Sequence, residues 1–372
     1  MTMNRVNIDL RQALGFGGIA NFVRNLSCNL PTTENIVFTG CTYLTRQNDS
    51  YKYEWFPGII KRTILPSKYF FYSKFKLPFT YEKWMRSKSD FNIFLSFTLP
   101  VVRFEAPLVS TIHDIILLRT NSEPSAVVEE HKRILNKTIE RSKYILTVSQ
   151  NSKQDLIDYF GLDEKIIHVI PNGIDQQAFR RCITNAEETR MRKKYRLPPK
   201  YILNFGIYRN HKNIERLIEA YSKLPHYIRN EYKLVLTKSH PAIDDAIIRY
   251  AIGDDVRIIG YVDEIDKPVI YKLASIVYYA SLYEGFGVPV IEAQAAGVPV
   301  ITSNISSLPE VAGEGAVLVD PYSTIEIENA IERLCEDNIY RSQIIDRGLI
   351  NSQQYTWDCT SQKLVQFIHQ IM

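Results

Sequence analysis

Apolar runs of four or five residues alternate along this chain with stretches whose apolar positions recur every three to four residues. The first pattern predicts buried strands and the second amphipathic helices, and their alternation predicts βαβ units around parallel sheets. In the first half, strands are expected at 6–10, 35–38, 92–96, 108–112, 144–148 and 166–170, with helices at 18–29 and 124–142. Pro171-Asn172-Gly173-Ile174-Asp175 is a turn signal. After a polar, basic stretch at 185–200 the alternation restarts, with strands at 201–205, 233–237, 256–259, 276–279, 298–302 and 316–319. The helices expected among them are 213–224, 243–251, 268–274, 288–296 and 325–335, and two further helical segments follow at 340–353 and 359–371.

The restart places a domain boundary near residue 175, so the expected fold class is α/β with two doubly wound domains, 1–175 and 176–355, and a final segment, 356–372, packing back across the first. Two such domains facing each other would set the carboxyl ends of both sheets around a cleft, where open α/β sheets bind ligands. Length and composition agree with this picture: 372 residues, 45% hydrophobic and 23% charged, is a globular chain long enough for two cores. The five cysteines, Cys28, Cys41, Cys182, Cys335 and Cys359, form no CxxC pair or zinc-type cluster, which fits a reducing compartment. No apolar leader follows the first residues. The most apolar stretch, 107–118, is interrupted by His113 and Asp114 and is far shorter than the roughly 20 residues of a membrane span. A cytoplasmic protein is expected.

A net charge of +4 does not argue for nucleic acid, and none is expected as a partner. Its distribution says more. Residues 51–88 interleave Lys52, Lys61, Arg62, Lys68, Lys74, Lys76, Lys83, Arg86 and Lys88 with Trp55, Phe56, Tyr69, Phe70, Phe71, Tyr72, Phe75 and Trp84. Basic and aromatic side chains together suit an anionic membrane surface, peripheral on the inner face of the cell membrane. The same composition also describes core aromatics under a solvated basic face.

The densest chemistry follows the apolar run at 276–279: Ser281-Leu282-Tyr283-Glu284-Gly285-Phe286-Gly287-Val288-Pro289-Val290-Ile291-Glu292. Gly285 and Gly287 let backbone amides approach a ligand, Pro289 suits a first helical turn, and the amides around Phe286 and Val288 stand where a phosphate can sit. Glu284 and Glu292 can accept hydroxyl groups at opposite ends of one nucleotide-sugar. With the run 294–300, with Ser307-Leu308-Pro309-Glu310-Val311, and with Phe205-Gly206, Lys212-Asn213, Ile112-His113-Asp114, Asp9-Leu10-Arg11 and Gly18-Ile19, the chain resembles glycosyltransferase family 4.

The resemblance implies a GT-B fold, retention of anomeric configuration, and no metal or organic cofactor; no D-x-D element is present to carry a divalent ion. It gives Lys212 to the donor diphosphate, Glu284 to the sugar, Glu292 to the ribose and His113 to the neighbourhood of the donor sugar. The positions of the family's second diphosphate cation hold Ile207 and His211, and Arg209 between them is the candidate substitute. Gly206, Gly17 and Gly18 are candidate close-approach positions for the donor, although Ala20 and Asn21 stand where the family often has Gly and Arg. The implied reaction is transfer of a hexose, mannose from GDP-mannose, to a lipid-linked oligosaccharide or polysaccharide acceptor. A sugar-nucleotide epimerase or phosphorylase of the same fold, or a non-catalytic sugar-nucleotide-binding protein, are the alternatives; a phosphorylase would carry a lysine-linked pyridoxal group.

Overall fold

The computed structural model describes residues 3–13, 15, 17–32, 35–44, 54–64, 80–96, 103–120 and 123–372. It divides into two compact units, Met1–Gly173 with Trp357–Met372, and Ile174–Thr356.

The first unit is built on a seven-stranded sheet of β1 (Asn4–Asp9), β2 (Ile36–Leu44), β3 (Ile59–Ile64), β4 (Phe91–Phe94), β5 (Leu108–Thr111), β6 (Tyr144–Thr147) and β7 (Ile167–Val169). Their order is β3-β2-β1-β4-β5-β6-β7, and every pairing is parallel. Strands such as β4 and β5 are buried at every position, because helices cover both faces of a parallel sheet and both faces must be apolar. The order reverses between β1 and β4, so the loops after those strands diverge and leave room at their carboxyl ends.

Within 51–88 the structure adds a strand that the sequence pattern did not show. Ile59–Ile64 is the edge strand β3, in register with β2 from Thr39 opposite Ile59 to Leu44 opposite Ile64. Phe56 is buried, and Tyr81 and Met85 join Cys41, Phe94 and Leu108 in a core cluster against which Trp84 packs. The aromatic residues at both ends of the basic region therefore serve the core. Lys68, Tyr69, Phe70, Phe71, Tyr72, Lys74, Phe75 and Lys76 lie outside the described residues. Glu82, buried in the same place, accepts hydrogen bonds from the backbone amides of Glu105 (2.9 Å) and Ala106 (3.0 Å) and from Asn92 Nδ2 (2.5 Å), which satisfies a carboxylate that burial would otherwise penalise.

The Trp357–Ile371 helix completes this unit. It lies against the Gly18–Cys28 helix, with the Trp357 and Phe22 rings edge to face at 6.0 Å. Phe367 is wedged against Tyr144 and His168 at ring distances of 5.8 and 4.5 Å.

The second unit carries a six-stranded parallel sheet of β8 (Lys200–Asn204), β9 (Tyr232–Leu236), β10 (Val256–Ile258), β11 (Ile276–Tyr279), β12 (Val300–Ser303) and β13 (Val317–Val319), in the order β10-β9-β8-β11-β12-β13. The reversal here falls between β8 and β11. The Ile214–Lys223 helix buries Ile214, Leu217, Ile218 and Tyr221, the i, i+3, i+4, i+7 stripe of an amphipathic helix. Asn185–Tyr195, read from sequence only as a polar stretch, is also a helix. It buries Met191 and Tyr195 alone and is started by a reciprocal capping box between Thr184 and Glu187. Among the described residues no helix is long and apolar enough to cross a membrane.

Candidate functional site

The switch point of the second sheet gathers most of the residues singled out by sequence. β11 ends at Tyr279, and the chain then turns through 281–287 into the Val288–Ala295 helix. Pro289 sits in that helix's first turn, and Gly287 precedes it at φ +109°, a left-handed conformation that suits glycine. A Cβ on Gly287 would lie 2.5 Å from Leu308 Cδ2, so any larger residue would also require Leu308 or the turn to shift.

The turn is held from the loop after β12. Ser306 Oγ accepts from the Glu284 amide at 3.2 Å, and the Ser307 hydroxyl lies 2.9 Å from the carbonyl oxygens of both Glu284 and Phe286. Ser306 itself adopts φ +55°. The Phe286 ring is buried edge-on against Tyr355 at 5.6 Å, so this residue anchors the turn through its side chain and offers a ligand only backbone.

Lys212 arrives from the other side of the switch point. It ends the short 3-10 turn Asn210–Lys212 after β8, where its amide donates to Arg209 O at 2.8 Å. Asn213 follows at φ +59°, and its side-chain amide donates to Ala280 O (3.1 Å) and Pro321 O (2.7 Å). This one side chain ties the loop after β8 to the loops after β11 and β13. The Leu282 amide donates to His211 O at 2.7 Å.

The result is an ion pair between Lys212 Nζ and Glu284 Oε1 at 2.6 Å, with the Tyr279 hydroxyl 2.5 Å from the same nitrogen and the Tyr279 ring centre 4.8 Å below it. Burial works against the Lys212 charge, but Glu284 and Tyr279 outweigh it, and its pKa lies above the ordinary lysine value. Burial likewise works against the Glu284 charge, and Lys212 outweighs it, so the carboxyl stays below its ordinary value. Two of the three ammonium donors are used among the described residues, which leaves one for a ligand. His211 beside them is pushed down to about 4 by burial, against the pull of Glu284. Arg209 is exposed on the same loop.

Glu292 lies five residues into the Val288–Ala295 helix and is 4% exposed. Its Oε1 receives Lys267 Nζ at 2.5 Å. Its Oε2 is buried in the neighbourhood of the Tyr271 hydroxyl, with no hydrogen bond of good geometry to either atom among the described residues. Burial raises the Glu292 pKa and Lys267 opposes the rise. The Lys267 ammonium also stands 5.2 Å over the Phe205 ring. Gly206, at φ +142°, exchanges hydrogen bonds with Thr237: its amide donates to Oγ1 at 2.9 Å and its carbonyl accepts the hydroxyl at 2.8 Å, tying the ends of β8 and β9.

The remaining candidates belong to the first unit. His113 follows β5, and its Nε2 is 3.2 Å from Leu95 O after β4. A carbonyl only accepts, so Nε2 carries the proton and Nδ1 is the free acceptor of the neutral ring. The Phe22 ring meets it edge-on at 4.8 Å, and burial holds its pKa down at about 4, so it is neutral at pH 7. Gly17, at φ +93°, and Gly18 begin the Gly18–Cys28 helix with no side-chain cap and with open space where a Cβ would be. At the end of β1, Arg11 pairs with the buried Asp9 and stacks over Phe94.

Sequence reasoning missed Tyr279, Lys267, Tyr271 and the Ser306-Ser307 clasp. The tyrosines lie in an apolar strand and an apolar helix, where periodicity marks them as core. Lys267 stands just before a proline at a helix start, and in sequence nothing separates it from a solvated first-turn charge.

Two family models match the chain: Glycosyltransferase Family 4 over residues 16–178 and Glycosyl transferases group 1 over 186–349. It is 33% identical over 263 residues to O-antigen chain mannosyltransferase B of Escherichia coli, covering 69% of this chain and 68% of that protein. It is 28% identical to the serotype-specific mannosyltransferase WbdA of Escherichia coli over 277 residues, 72% of this chain and 34% of that longer protein. Among solved structures, sucrose-phosphate synthase from Thermosynechococcus elongatus superposes with a TM-score of 0.73 at 19% identity, over 99% of both chains. WaaG, a glycosyltransferase involved in lipopolysaccharide biosynthesis, does so with a TM-score of 0.70 at 12% identity, over 98% of this chain and 99% of its own. These likenesses are of fold. With both family models, the 33% identical relative and the two parallel sheets in hand, the chain belongs to glycosyltransferase family 4 and is a glycosyltransferase of the GT-B fold.

Proposed function

We propose that this glycosyltransferase moves a hexose, mannose from GDP-mannose, onto a lipid-linked oligosaccharide or polysaccharide of the O-antigen type, with retention of configuration and without a metal or organic cofactor. The observation that carries the donor side is the pair of buried lysine–carboxylate contacts, Lys212 with Glu284 and Lys267 with Glu292, at the two ends of one glycine-rich turn and helix. A nucleotide-sugar needs a cation for its diphosphate and carboxylate acceptors for its hydroxyls, and that turn offers both.

In this reading the free donor of Lys212 meets the diphosphate, with Arg209 and the amides near Gly285, Gly287 and Val288 beside it. Glu284 takes sugar hydroxyls, and the buried Oε2 of Glu292, which lacks a hydrogen bond of good geometry, takes a ribose hydroxyl. Catalysis then consists chiefly of stabilising charge that develops on the leaving diphosphate. His113, Gly206, Gly17 and Gly18 complete the proposed donor contacts. A neutral His113 can accept a sugar hydroxyl at Nδ1 but is a weak base.

The mannosyl and O-antigen assignments rest on the relatives, which are named O-antigen chain mannosyltransferase B and serotype-specific mannosyltransferase. An acceptor on a lipid gives the basic residues of 51–88 a purpose, docking on an anionic membrane surface at the cytoplasmic side.

The test is a thermal-shift panel of nucleoside diphosphates and their sugars, followed by transfer with the donor that binds, in excess EDTA. A donor at about 100 times its dissociation constant adds roughly 2.7 kcal/mol of stability. Selective stabilisation by GDP-mannose and chelator-resistant transfer are expected. Stabilisation by another sugar nucleotide reassigns the donor, and loss of turnover in EDTA restored by magnesium or manganese overturns metal independence.

A further inference from the structure

We propose that Tyr279 is a positioning residue of the donor site: its hydroxyl anchors the Lys212 ammonium without neutralising it, so that the charge stays in place for a diphosphate when Glu284 is engaged by the sugar. The inference rests on the reading of Lys212 and Glu284 given above.

Packing does not explain the phenol. Tyr279 is 6% exposed at the end of β11, where a phenylalanine would fill the same volume, and burying a hydroxyl is unfavourable unless it is bonded. The hydroxyl of the neighbouring Tyr278 is buried without a hydrogen bond among the described residues, whereas that of Tyr279 lies 2.5 Å from Lys212 Nζ. An ammonium has only donors, so the phenol oxygen accepts, and its own proton must point to another acceptor. The Glu284 carboxylate, on the same nitrogen at 2.6 Å and close enough for its charge to act on Tyr279, is the acceptor nearest to hand. The Lys212 ammonium thus bridges the phenol and the carboxylate.

The arrangement solves a conflict. Lysine is a compact charge on a flexible stem, and left with Glu284 alone it would follow whichever anion is near. Sugar hydroxyls that bond Glu284 compete for the oxygen that holds Lys212. A neutral acceptor from a rigid strand keeps the ammonium fixed through that exchange and, carrying no charge, leaves its field intact for the diphosphate. The ring face beneath adds a cation–π contact that survives loss of the hydroxyl.

The experiment is a double-mutant cycle on the full chain, read by calorimetric titration of GDP, UDP, ADP and CDP. Tyr279→Phe keeps ring and volume, and its ligand-free unfolding temperature is compared with wild type first. For whichever diphosphate wild type binds, Tyr279→Phe is expected to weaken binding about tenfold or more, the scale of a hydrogen bond to a charged group. In a Lys212→Met background it should cause no further loss, since the hydroxyl acts only through the ammonium. Tyr279→His, a ring acceptor when neutral at pH 8, should recover part of the binding, and it carries the cycle if Tyr279→Phe does not fold. Equal losses from Tyr279→Phe in both backgrounds, or no loss from a folded Tyr279→Phe, overturn the proposal. A Lys212→Met protein that binds as wild type, or a wild type that binds none of the four, overturns instead the donor-site reading beneath it.

Discussion

Glu292 is a carboxylate with one oxygen on a lysine and the other buried near the Tyr271 hydroxyl without a hydrogen bond of good geometry, an arrangement that a ligand donor would complete. Glu292→Gln should therefore weaken nucleotide binding by about 1.5–3 kcal/mol, the scale of a hydrogen bond to a charged group, and calorimetry reads it directly. At Lys212 the expected loss is larger. Lys212→Ala removes the cation proposed to face the diphosphate and strands Glu284, which should cost about 2–5 kcal/mol in kcat/KM, with Lys212→Arg rescuing only partly because a planar fork replaces a point charge. His113 yields a pH prediction. Its folded pKa of about 4 lies below the ordinary 6.5, so above pH 6.5 it is neutral in both states, and as pH falls towards 4 the unfolded chain takes up a proton that the folded one refuses. Stability should fall across that window by up to about 3 kcal/mol on this account, and His113→Gln, whose amide can still donate to Leu95 O, should show a shallower acid limb in melting temperature. At this scale Glu284, Glu292 and Lys212 were legible because glycine and proline punctuate the backbone around them. Tyr279 and Lys267 were not, because a phenol in a strand and a lysine at a helix start look the same in sequence whether they touch solvent, core or a carboxylate.

Among the elements, the turn from β11 into the Val288–Ala295 helix is the most tightly determined. Gly287→Ala would demand both a strained left-handed alanine and 2.5 Å of approach to Leu308, so the turn must shift or Leu308 must move. We expect a loss of at least about 1–2 kcal/mol in urea unfolding and a much larger fractional loss of nucleotide binding, because the amides at 285–288 move with the turn. Fully buried strands such as β4, β5 and β11 were readable as short apolar runs, and the Ile214–Lys223 helix by its stripe. Asn185–Tyr195 was not, since two buried residues make too narrow a stripe to outweigh its charges; its legible signal was Thr184 followed three residues later by Glu187. The edge strand β3 was hidden for a different reason: Lys61 and Arg62 interrupt its apolar pattern, as charges commonly do on edge strands.

On the scale of the molecule, the first unit depends on a helix from the far end of the sequence. Phe367, buried against Tyr144 and His168, makes Phe367→Ala the probe: about 3–5 kcal/mol of destabilisation is expected, visible as lost amide-exchange protection in β5, β6 and β7 with the second unit's protection unchanged. The chain leaves the first unit at Gly173 and returns to it at Trp357, and the Ile174 amide donates to Tyr355 O at 2.9 Å, so exit and return run side by side. The second unit is in effect an insertion whose two ends meet. On the ribosome this reverses the usual order, in which the N-terminal domain finishes first. The first sheet emerges early but waits, lacking its last helix, while the second unit is made and can fold outright. The apolar side of the Gly18–Cys28 helix stays uncovered for that whole interval, so the growing chain is most in need of chaperone protection at its beginning rather than at its end.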